Sequence, residues 1–208
     1  MKTSEFIMAM GVLRTWLIAC LALFGDRIKT RFVSLQVRLD GFSGTLAKHQ
    51  NGQRARYYFA RVINRRRVPS AHEVLLVYTR IERSGPSGPE ILFDEITPAA
   101  WQRQELEPLI TRTIGRDALA VLFYVQQDGI IGLTPMVAPG GGLAAQFPQP
   151  QRGPCTLWIT VRATSIEADS ESIRLRIDWN GQWHDGKAEV ENACRVSLDP
   201  LPRQPHRL

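Results

Sequence analysis

Hydrophobic and polar residues alternate without interruption in VSLQVRLD, residues 33–40. In an extended chain this pattern places the aliphatic side chains on one side and the polar side chains on the other. A period of two is typical of a strand that buries one face and exposes the other. The segment therefore predicts a half-buried β-strand.

Further strands are expected along most of the chain, in short segments that are mostly rich in β-branched and aromatic residues. They comprise residues 57–64, 74–81, 91–93, 119–125, 157–163, 173–179 and 188–198. Within the predicted domain, a helix is expected only over residues 97–106, with Thr97 as its N-cap, Pro98 in its first turn and Pro108 beyond its end. This order predicts a mainly β fold, a β-sandwich over residues 31–199, followed by a Pro-rich tail over residues 200–208.

Turn-forming residues separate the predicted strands. Asn180-Gly181 lies between Trp179 and Trp183 and predicts a tight type I′ turn, because asparagine and glycine tolerate a positive φ. The last two strands are therefore expected to pair around this turn. Longer loops are predicted over residues 41–53, 83–89 and 136–154, of which the last is rich in Gly, Pro and Gln and is the best candidate for partner contact.

The composition is that of a folded protein with a mild basic excess. Of 208 residues, 44% are hydrophobic, which is enough for a buried core and excludes a disordered chain. A formal charge of +6 favours anionic partners such as phospholipid headgroups or nucleic acid. Cys20, Cys155 and Cys194 are widely separated, so at most one intrachain disulfide forms outside the apolar N-terminus, and reduced thiols are the simpler interpretation.

The N-terminus carries FIMAMGVLRTWLIACLALF, residues 6–24, an apolar run with a single charge at Arg14. As a helix it would be roughly 28 Å long at 1.5 Å per residue, close to the thickness of a bilayer's hydrocarbon core. We therefore expect residues 1–30 to form a membrane anchor with a basic flank, and membrane lipid to be a partner. The side chains expected in the membrane are Phe6, Ile7, Val12, Leu13, Arg14, Trp16, Leu17, Ile18, Leu21, Leu23 and Phe24.

Arg14 and Cys20 leave alternatives to a membrane-spanning anchor open. A central arginine costs roughly 2.5–3.5 kcal/mol on insertion, so the helix spans the membrane with little margin or lies in the interface. Leu17-Ile18-Ala19-Cys20 is similar to a lipobox, in which Cys20 is lipidated, although apolar rather than polar residues follow it. A cleaved secretory signal is the third alternative. Processing of either kind would make the chain a lipoprotein or a secreted domain.

Charged residues around the apolar run predict its orientation. Arg27, Lys29 and Arg31 follow it, against Lys2 and Glu5 before it. The positive-inside rule then places the C-terminal domain in the cytoplasm, as part of a single-pass protein of the inner membrane. In that orientation the three cations after the run are candidate contacts for anionic headgroups.

Two adjoining segments carry a resemblance. YYFARVIN, residues 57–64, is an apolar strand that ends in V-x-N, and SAHEVLLV, residues 70–77, follows it. The pair resembles the second and third strands of immunoglobulin-like bacterial modules, and together with Arg65-Arg66-Arg67 it is similar to uncharacterised bacterial membrane-anchored proteins. The resemblance implies an immunoglobulin-like β-sandwich and no known activity. Asn64 is expected to cap the turn after its strand, and Ala71 to mark the return to the core.

Arg65-Arg66-Arg67 is the strongest charge feature of the predicted domain. Guanidinium groups bind planar anions through paired hydrogen bonds, so these residues are candidate contacts for lipid phosphate, a nucleic-acid backbone or an acidic protein surface. A solvated turn between strands is the favoured alternative. Tyr57 and Tyr58 would add base stacking to a nucleic-acid site over residues 61–67, although strand propensity explains them equally.

The sequence shows no catalytic or cofactor motif. Gly140-Gly141-Gly142 lacks the Lys-Ser/Thr that a phosphate loop requires. The histidines lack metal-ligand spacing; they are His49, His72, His184 and His206. We therefore expect no enzyme, cofactor or metal site, but a membrane-tethered interaction or sensory module with a protein partner of unknown identity. A basic protein that binds nucleic acid or anionic lipid through residues 61–67 is the alternative, and a small-molecule ligand is unknown.

Overall fold

The computed structural model describes residues 33–49, 51–66, 69–102, 111–135 and 147–201. Its strands are β1 (Leu35–Leu39), β2 (Thr45–Lys48), β3 (Arg54–Asn64), β4 (Ala71–Gly85), β5 (Gly88–Phe93), β6 (Thr97–Pro98), β7 (Arg112–Ile114), β8 (Asp117–Gln126), β9 (Ile130–Leu133), β10 (Gln151–Arg152), β11 (Cys155–Thr164), β12 (Ile173–Trp179) and β13 (Cys194–Asp199). A helix, α1 (Lys187–Ala193), precedes β13. The fold is mainly β, as the sequence predicts.

The strands form two antiparallel sheets. In the first sheet the order is β1-β3-β8-β9-β10, and β2 pairs with the first part of β3. In the second sheet the order is β13-β12-β11-β4-β5, and β6 and β7 also pair with β4. The longest pairings join β3 to β8 and β11 to β4, so these strands form the centres of the two sheets.

One hydrophobic cluster draws residues from both sheets. Tyr58 and Leu122 enter it from β3 and β8, whereas Tyr78 and Ile159 enter it from β4 and β11, and all are fully buried. The hydroxyl of Tyr78 donates a hydrogen bond across this core to the backbone carbonyl of Leu122. The arrangement is consistent with the predicted β-sandwich.

The alternation in residues 33–40 is confirmed. Val33, Leu35 and Val37 are buried in the cluster, whereas Arg38 is exposed. β1 pairs with β3 at the edge of the first sheet. Strands are also confirmed at residues 57–64, 74–81, 91–93, 119–125, 157–163 and 173–179.

The helix predicted over residues 97–106 is wrong where the structure describes it. β6 pairs with β4, and the residues after it form bridges to Pro135 and Ala120 beside the first sheet. The segment therefore crosses from one sheet to the other in an extended conformation. Trp101 is only 4% exposed, so burial of its ring outweighs the local capping signal. Residues 103–110 lie outside the described residues.

The connection between the last two strands also differs from the prediction. β12 and β13 do pair, as expected. The predicted strand over residues 188–198 is half wrong, since its first part forms α1. The tight turn at Asn180-Gly181 is wrong as well, because residues 180–193 make the connection. Gly181 has the expected positive φ of +81°, but it leads the chain into a loop and not directly into a strand.

The predicted loops are more structured than expected. β2 lies within residues 41–53, and β10 lies within residues 136–154. β4 and β5 pair as far as Gly85 and Gly88, so residues 83–89 form a tight hairpin. The sequence pattern misses β2, β6, β7, β9 and β10, because each is too short to show a clear period of two and forms only beside a longer neighbour.

The predicted anchor over residues 6–24 lies outside the described residues, as do Arg27, Lys29 and Arg31 of its flank and residues 202–208 of the tail. Among the residues that the structure describes, no helix combines the length and the hydropathy that crossing a membrane requires.

Candidate functional site

The candidate functional residues lie at two opposite ends of the domain. β3 runs from Arg54 to Asn64, a length of about 33 Å at 3.3 Å per residue. We call the end around Ser34 and Asn64 the proximal end, because the chain arrives there from the N-terminal segment. We call the end around Arg54 the distal end; the turns that meet there are residues 126–129, 152–155 and 179–181.

The proximal end presents arginines on tight backbone turns. The amide of Arg65 donates to the carbonyl of Ser34 (2.8 Å), and the amide of Asn64 donates to the carbonyl of Arg116 (2.9 Å). Arg65, Arg66 and Arg116, which we call the proximal arginines, are all exposed. The backbone bonds therefore hold these cations beside the point at which the chain arrives.

Asn64 shapes the turn that carries two of them. Its side chain is fully buried, and Nδ2 donates to the carbonyl of Pro69 (2.9 Å). This bond spans the residues between β3 and β4, so the chain leaves the sheet and returns at Ala71, which is buried where β4 begins. The predicted roles of Asn64 as a turn cap and of Ala71 as the return to the core are confirmed.

Arg61 does not join the proximal arginines. Its guanidinium contacts the carboxylates of Asp40 (2.7 Å) and Asp117 (2.8 Å). The hydrogen bonds to these two carboxylates raise the pKa of Arg61. The candidate anion contacts brought together at this end are therefore the proximal arginines and not the whole run over residues 61–67, of which Arg67 lies outside the described residues.

The side chains of Tyr57 and Tyr58 contact other aromatic residues of the domain. Tyr58 is fully buried and stacks on Phe123, with ring centroids 4.3 Å apart. The hydroxyl of Tyr57 is 2.6 Å from Nδ1 of His49, and burial lowers the pKa of that histidine. Among the described residues, the combination of guanidinium and stacking groups that a nucleic-acid site would use is not assembled at residues 61–67.

His72 lies near the proximal end and pairs with Glu167. Its backbone amide and its Nδ1 contact the two carboxylate oxygens of Glu167 at 3.0 and 2.8 Å. Burial acts to raise the pKa of Glu167, but the hydrogen bonds from His72 outweigh burial, so the pKa is lowered. The pair ties β4 to the loop between β11 and β12.

At the distal end, three glycines bring the two sheets into backbone contact. Gly129, Gly153 and Gly181 all have positive φ. The amide of Gly153 donates to the carbonyl of Gly129 (3.1 Å), and a Cβ on Gly129 would lie 2.8 Å from the carbonyl oxygen of Gly181. Nε1 of the buried Trp179 donates to the same Gly129 carbonyl (3.2 Å). A side chain at Gly129 would push the turns apart, so the closure of this end depends on glycine.

A polar cavity of about 800 Å³ opens beside this glycine contact. We call it the distal cavity. The acidic residue of its lining, Asp178, is 2.8 Å from the hydroxyl of Thr156 and 3.0 Å from the guanidinium of Arg176. The polar groups of the lining include Arg83, Arg152, Arg195, Thr156, Asn180 and Asn192.

The arginines of the distal cavity differ in how they are paired. Arg83 contacts Glu90 (3.2 Å), so it is largely neutralised. Arg152 is 73% exposed, with the carboxylate of Asp128 at 3.4 Å. Arg195 is exposed and forms no ion pair with any residue in the described ranges. The lining is therefore net cationic.

Cys155 lines the distal cavity, and Cys194 is buried near it. Both pair with Trp179, from the strands on either side of β12, so their Cα atoms are roughly 10 Å apart, too far for a disulfide. Both thiols are free, in agreement with the expectation of reduced cysteines. Burial raises the pKa of Cys155 to about 11 and that of Cys194 to about 12, so both are protonated and weakly nucleophilic at neutral pH.

His184 and Asp185 lie in the connection between β12 and β13. The carboxylate of Asp185 pairs with Arg54 (2.8 Å) and accepts a hydrogen bond from Nε1 of Trp183 (3.0 Å). These contacts fasten the connection to the start of β3. Within the described ranges, no group of His, Cys, Asp and Glu is arranged to hold a metal ion.

Sequence reasoning finds the proximal end and misses the distal cavity. The proximal turn is visible because its arginines are consecutive in the sequence. Arg83, Arg152 and Arg195 are isolated in the sequence and become neighbours only where β4, β10 and β13 converge. No local pattern could have signalled them.

No protein-family model, no curated protein and no solved structure matches the chain. The resemblance of residues 57–64 and 70–77 to immunoglobulin-like bacterial modules therefore stays a prediction.

Proposed function

We propose that this chain is a membrane-tethered, non-catalytic interaction module. In this proposal residues 6–24 form a single-pass anchor in the inner, cytoplasmic membrane, and an immunoglobulin-like β-sandwich faces the cytoplasm. The observation that carries the proposal is the hydrogen bond from the amide of Arg65 to the carbonyl of Ser34 (2.8 Å). It sets the proximal arginines beside the residue at which the chain arrives from the anchor.

Anionic lipid is the partner that this arrangement fits best. Ser34 is three residues beyond Arg31, a span of at most about 11 Å of extended chain. Arg27, Lys29 and Arg31 of the flank and the proximal arginines would then form one cationic band at the level of the headgroups. Each cation in such a band contributes about 1 kcal/mol at an anionic membrane surface.

The state of the reactive groups supports a binding role. The thiols of Cys155 and Cys194 are protonated because burial raises the pKa of each. His49 and His72 are engaged with Tyr57 and Glu167. Free thiols also favour a reducing compartment such as the cytoplasm.

Extraction of membranes from cells that express the full-length chain tests the tether. The chain should stay in the pellet after an alkaline wash, and protease should digest the β domain only in inverted membrane vesicles. The mass of the product should correspond to an unprocessed N-terminus. The proposal would be contradicted if the wash released the chain or if the β domain were protected from protease in inverted vesicles. Cleavage of the N-terminus or lipidation of Cys20 would also contradict it.

A pair of substitutions makes this test specific to the apolar run. Leu13→Arg together with Ile18→Arg adds two charges, each costing roughly 3 kcal/mol at the centre of a membrane helix, and should release the chain into the soluble fraction. Leu46→Arg together with Leu198→Arg is the matched control, because it adds the same charge at leucines that are 44% and 67% exposed. The control should stay in the pellet.

A further inference from the structure

We propose that the distal cavity binds an acidic peptide segment of a partner protein. Arg152 and Arg195 are the residues that contact its carboxylates. They lie on β10 and β13, which belong to different sheets, so the site exists only in the folded domain.

Charge defines the chemical class of the ligand. Three guanidinium groups and a single carboxylate, that of Asp178, line the cavity, and this carboxylate is already held by Thr156 and Arg176. Arg195 forms no ion pair with a described residue, and Arg152 is 73% exposed although Nη2 lies 3.4 Å from the carboxylate of Asp128. Guanidinium groups pair with carboxylates in a planar, bidentate geometry, so an acidic ligand would pair with Arg195 and with the exposed face of Arg152.

The shape and polarity of the cavity favour a protein segment over a small molecule. Small-molecule sites are mostly apolar and enclose the ligand, whereas this cavity opens to solvent and is lined mainly by charged and amide side chains. Its volume of about 800 Å³ exceeds what a single phosphate or carboxylate fills. Arginine is also enriched at interfaces between separate proteins.

The position of the cavity suits a partner in solution. It lies at the distal end, about 33 Å along β3 from Asn64. With the proximal end at the membrane, the cavity would face away from the lipid. The inference does not depend on the anchor, because every residue that it uses belongs to the described domain.

Fluorescence anisotropy of a labelled hexaglutamate peptide, with the full-length chain in a non-ionic detergent at low salt, tests the inference. The peptide should bind, and a hexaglutamine peptide should not. Arg152→Gln with Arg195→Gln should weaken binding by about tenfold or more, since each removes one exposed charge-assisted contact. Thermal unfolding should be unchanged, because both side chains are exposed.

Arg38→Gln with Arg112→Gln is the matched control, since it removes the same charge from exposed positions outside the cavity. It should change peptide affinity by less than about twofold. The inference is overturned if the peptide does not bind, if both double variants lose affinity equally, or if citrate binds at the cavity while the peptide does not. The assay is done in detergent, so peptide binding does not depend on insertion into a membrane. Failure of peptide binding can therefore be distinguished from failure of the membrane extraction.

Discussion

The proximal and distal ends of the domain use the same residue type in different ways. At the proximal end, Arg65 and Arg116 sit on short turns that are held by backbone hydrogen bonds, and both residues are exposed. At the distal end, Arg152 and Arg195 surround a cavity. Exposed arginines on adjoining turns suit an extended anionic surface such as a membrane, whereas arginines around a cavity suit a discrete ligand.

The two ends are also stabilised differently. The distal end closes through glycines whose backbones touch, so there is no room for a side chain at Gly129. The proximal end is held by one buried side chain, that of Asn64, and by the register of β3 with its neighbours. Substitutions that probe closure should therefore cost more at the distal end than at the proximal end.

The largest effect is expected for Gly129→Ala. Gly129 has a φ of +78°, and the new Cβ would lie 2.8 Å from the carbonyl oxygen of Gly181. We expect a loss of about 3 kcal/mol in the free energy of unfolding, measured by chemical denaturation of the full-length chain in detergent. Gly52→Ala is the control: its φ is +82° but nothing lies within 4 Å, so it should lose only about 1 kcal/mol. Equal losses would show that the close approach at the distal end is unimportant.

A smaller loss is expected at the proximal end for Asn64→Ala. The substitution removes a partly buried hydrogen bond and leaves the carbonyl of Pro69 without it, which costs about 1–2 kcal/mol. Asn51→Ala is the control, because Asn51 is exposed and its hydrogen bonds stay within its own turn; it should cost no more than about 0.5 kcal/mol. If Asn64→Ala destabilised the domain more than Gly129→Ala, the proposed difference between the ends would be reversed.

The smallest effect concerns pH and the pair between His72 and Glu167. Because the pKa of Glu167 is lowered in the folded state, its carboxylate stabilises the fold above its unfolded pKa of about 4.3, and this stabilisation is lost as the pH falls through the lower folded value. Glu167→Gln should reduce the acid dependence of stability by no more than about 0.5 kcal/mol, since His72 is solvent-exposed. Glu73→Gln, at a neighbouring exposed position that forms no ion pair with a described residue, is the matched control for the loss of a carboxylate. The free energy of unfolding would be measured by denaturation at intervals between about pH 3 and pH 7, a range that includes the carboxylate pKa. These curves would detect the difference between the two variants.

Local sequence patterns predict individual strands. They fail where contacts between residues that are distant in the sequence decide the conformation. β1 is predictable because the alternation of aliphatic and polar residues indicates which face of the strand is buried. The extended crossing at Trp101 is not predictable, because Thr97 and Pro98 resemble the start of a helix. Burial of Trp101 in the core is what favours the extended conformation. The prediction of a tight turn at Asn180-Gly181 fails for the same reason. Gly181 has the expected positive φ, but its close approach to Gly129 and Gly153 leads the chain into a longer connection.

The candidate functional residues follow the same rule. The proximal turn could be predicted because Arg65 and Arg66 are adjacent, whereas its third arginine, Arg116, joins them only through the bond to the amide of Asn64. The distal cavity could not be predicted at all, because its lining comes from five strands and the end of α1.

Hydrogen–deuterium exchange of the full-length chain in lipid nanodiscs tests the assignment of the two ends most directly. Exchange in nanodiscs that contain phosphatidylglycerol is compared with exchange in nanodiscs of phosphatidylcholine alone. We expect slower exchange at residues 64–66 and 115–117 with the anionic lipid, and unchanged exchange at residues 152–155 and 180–182. Slower exchange at the distal residues, or no change at either end, would contradict the account.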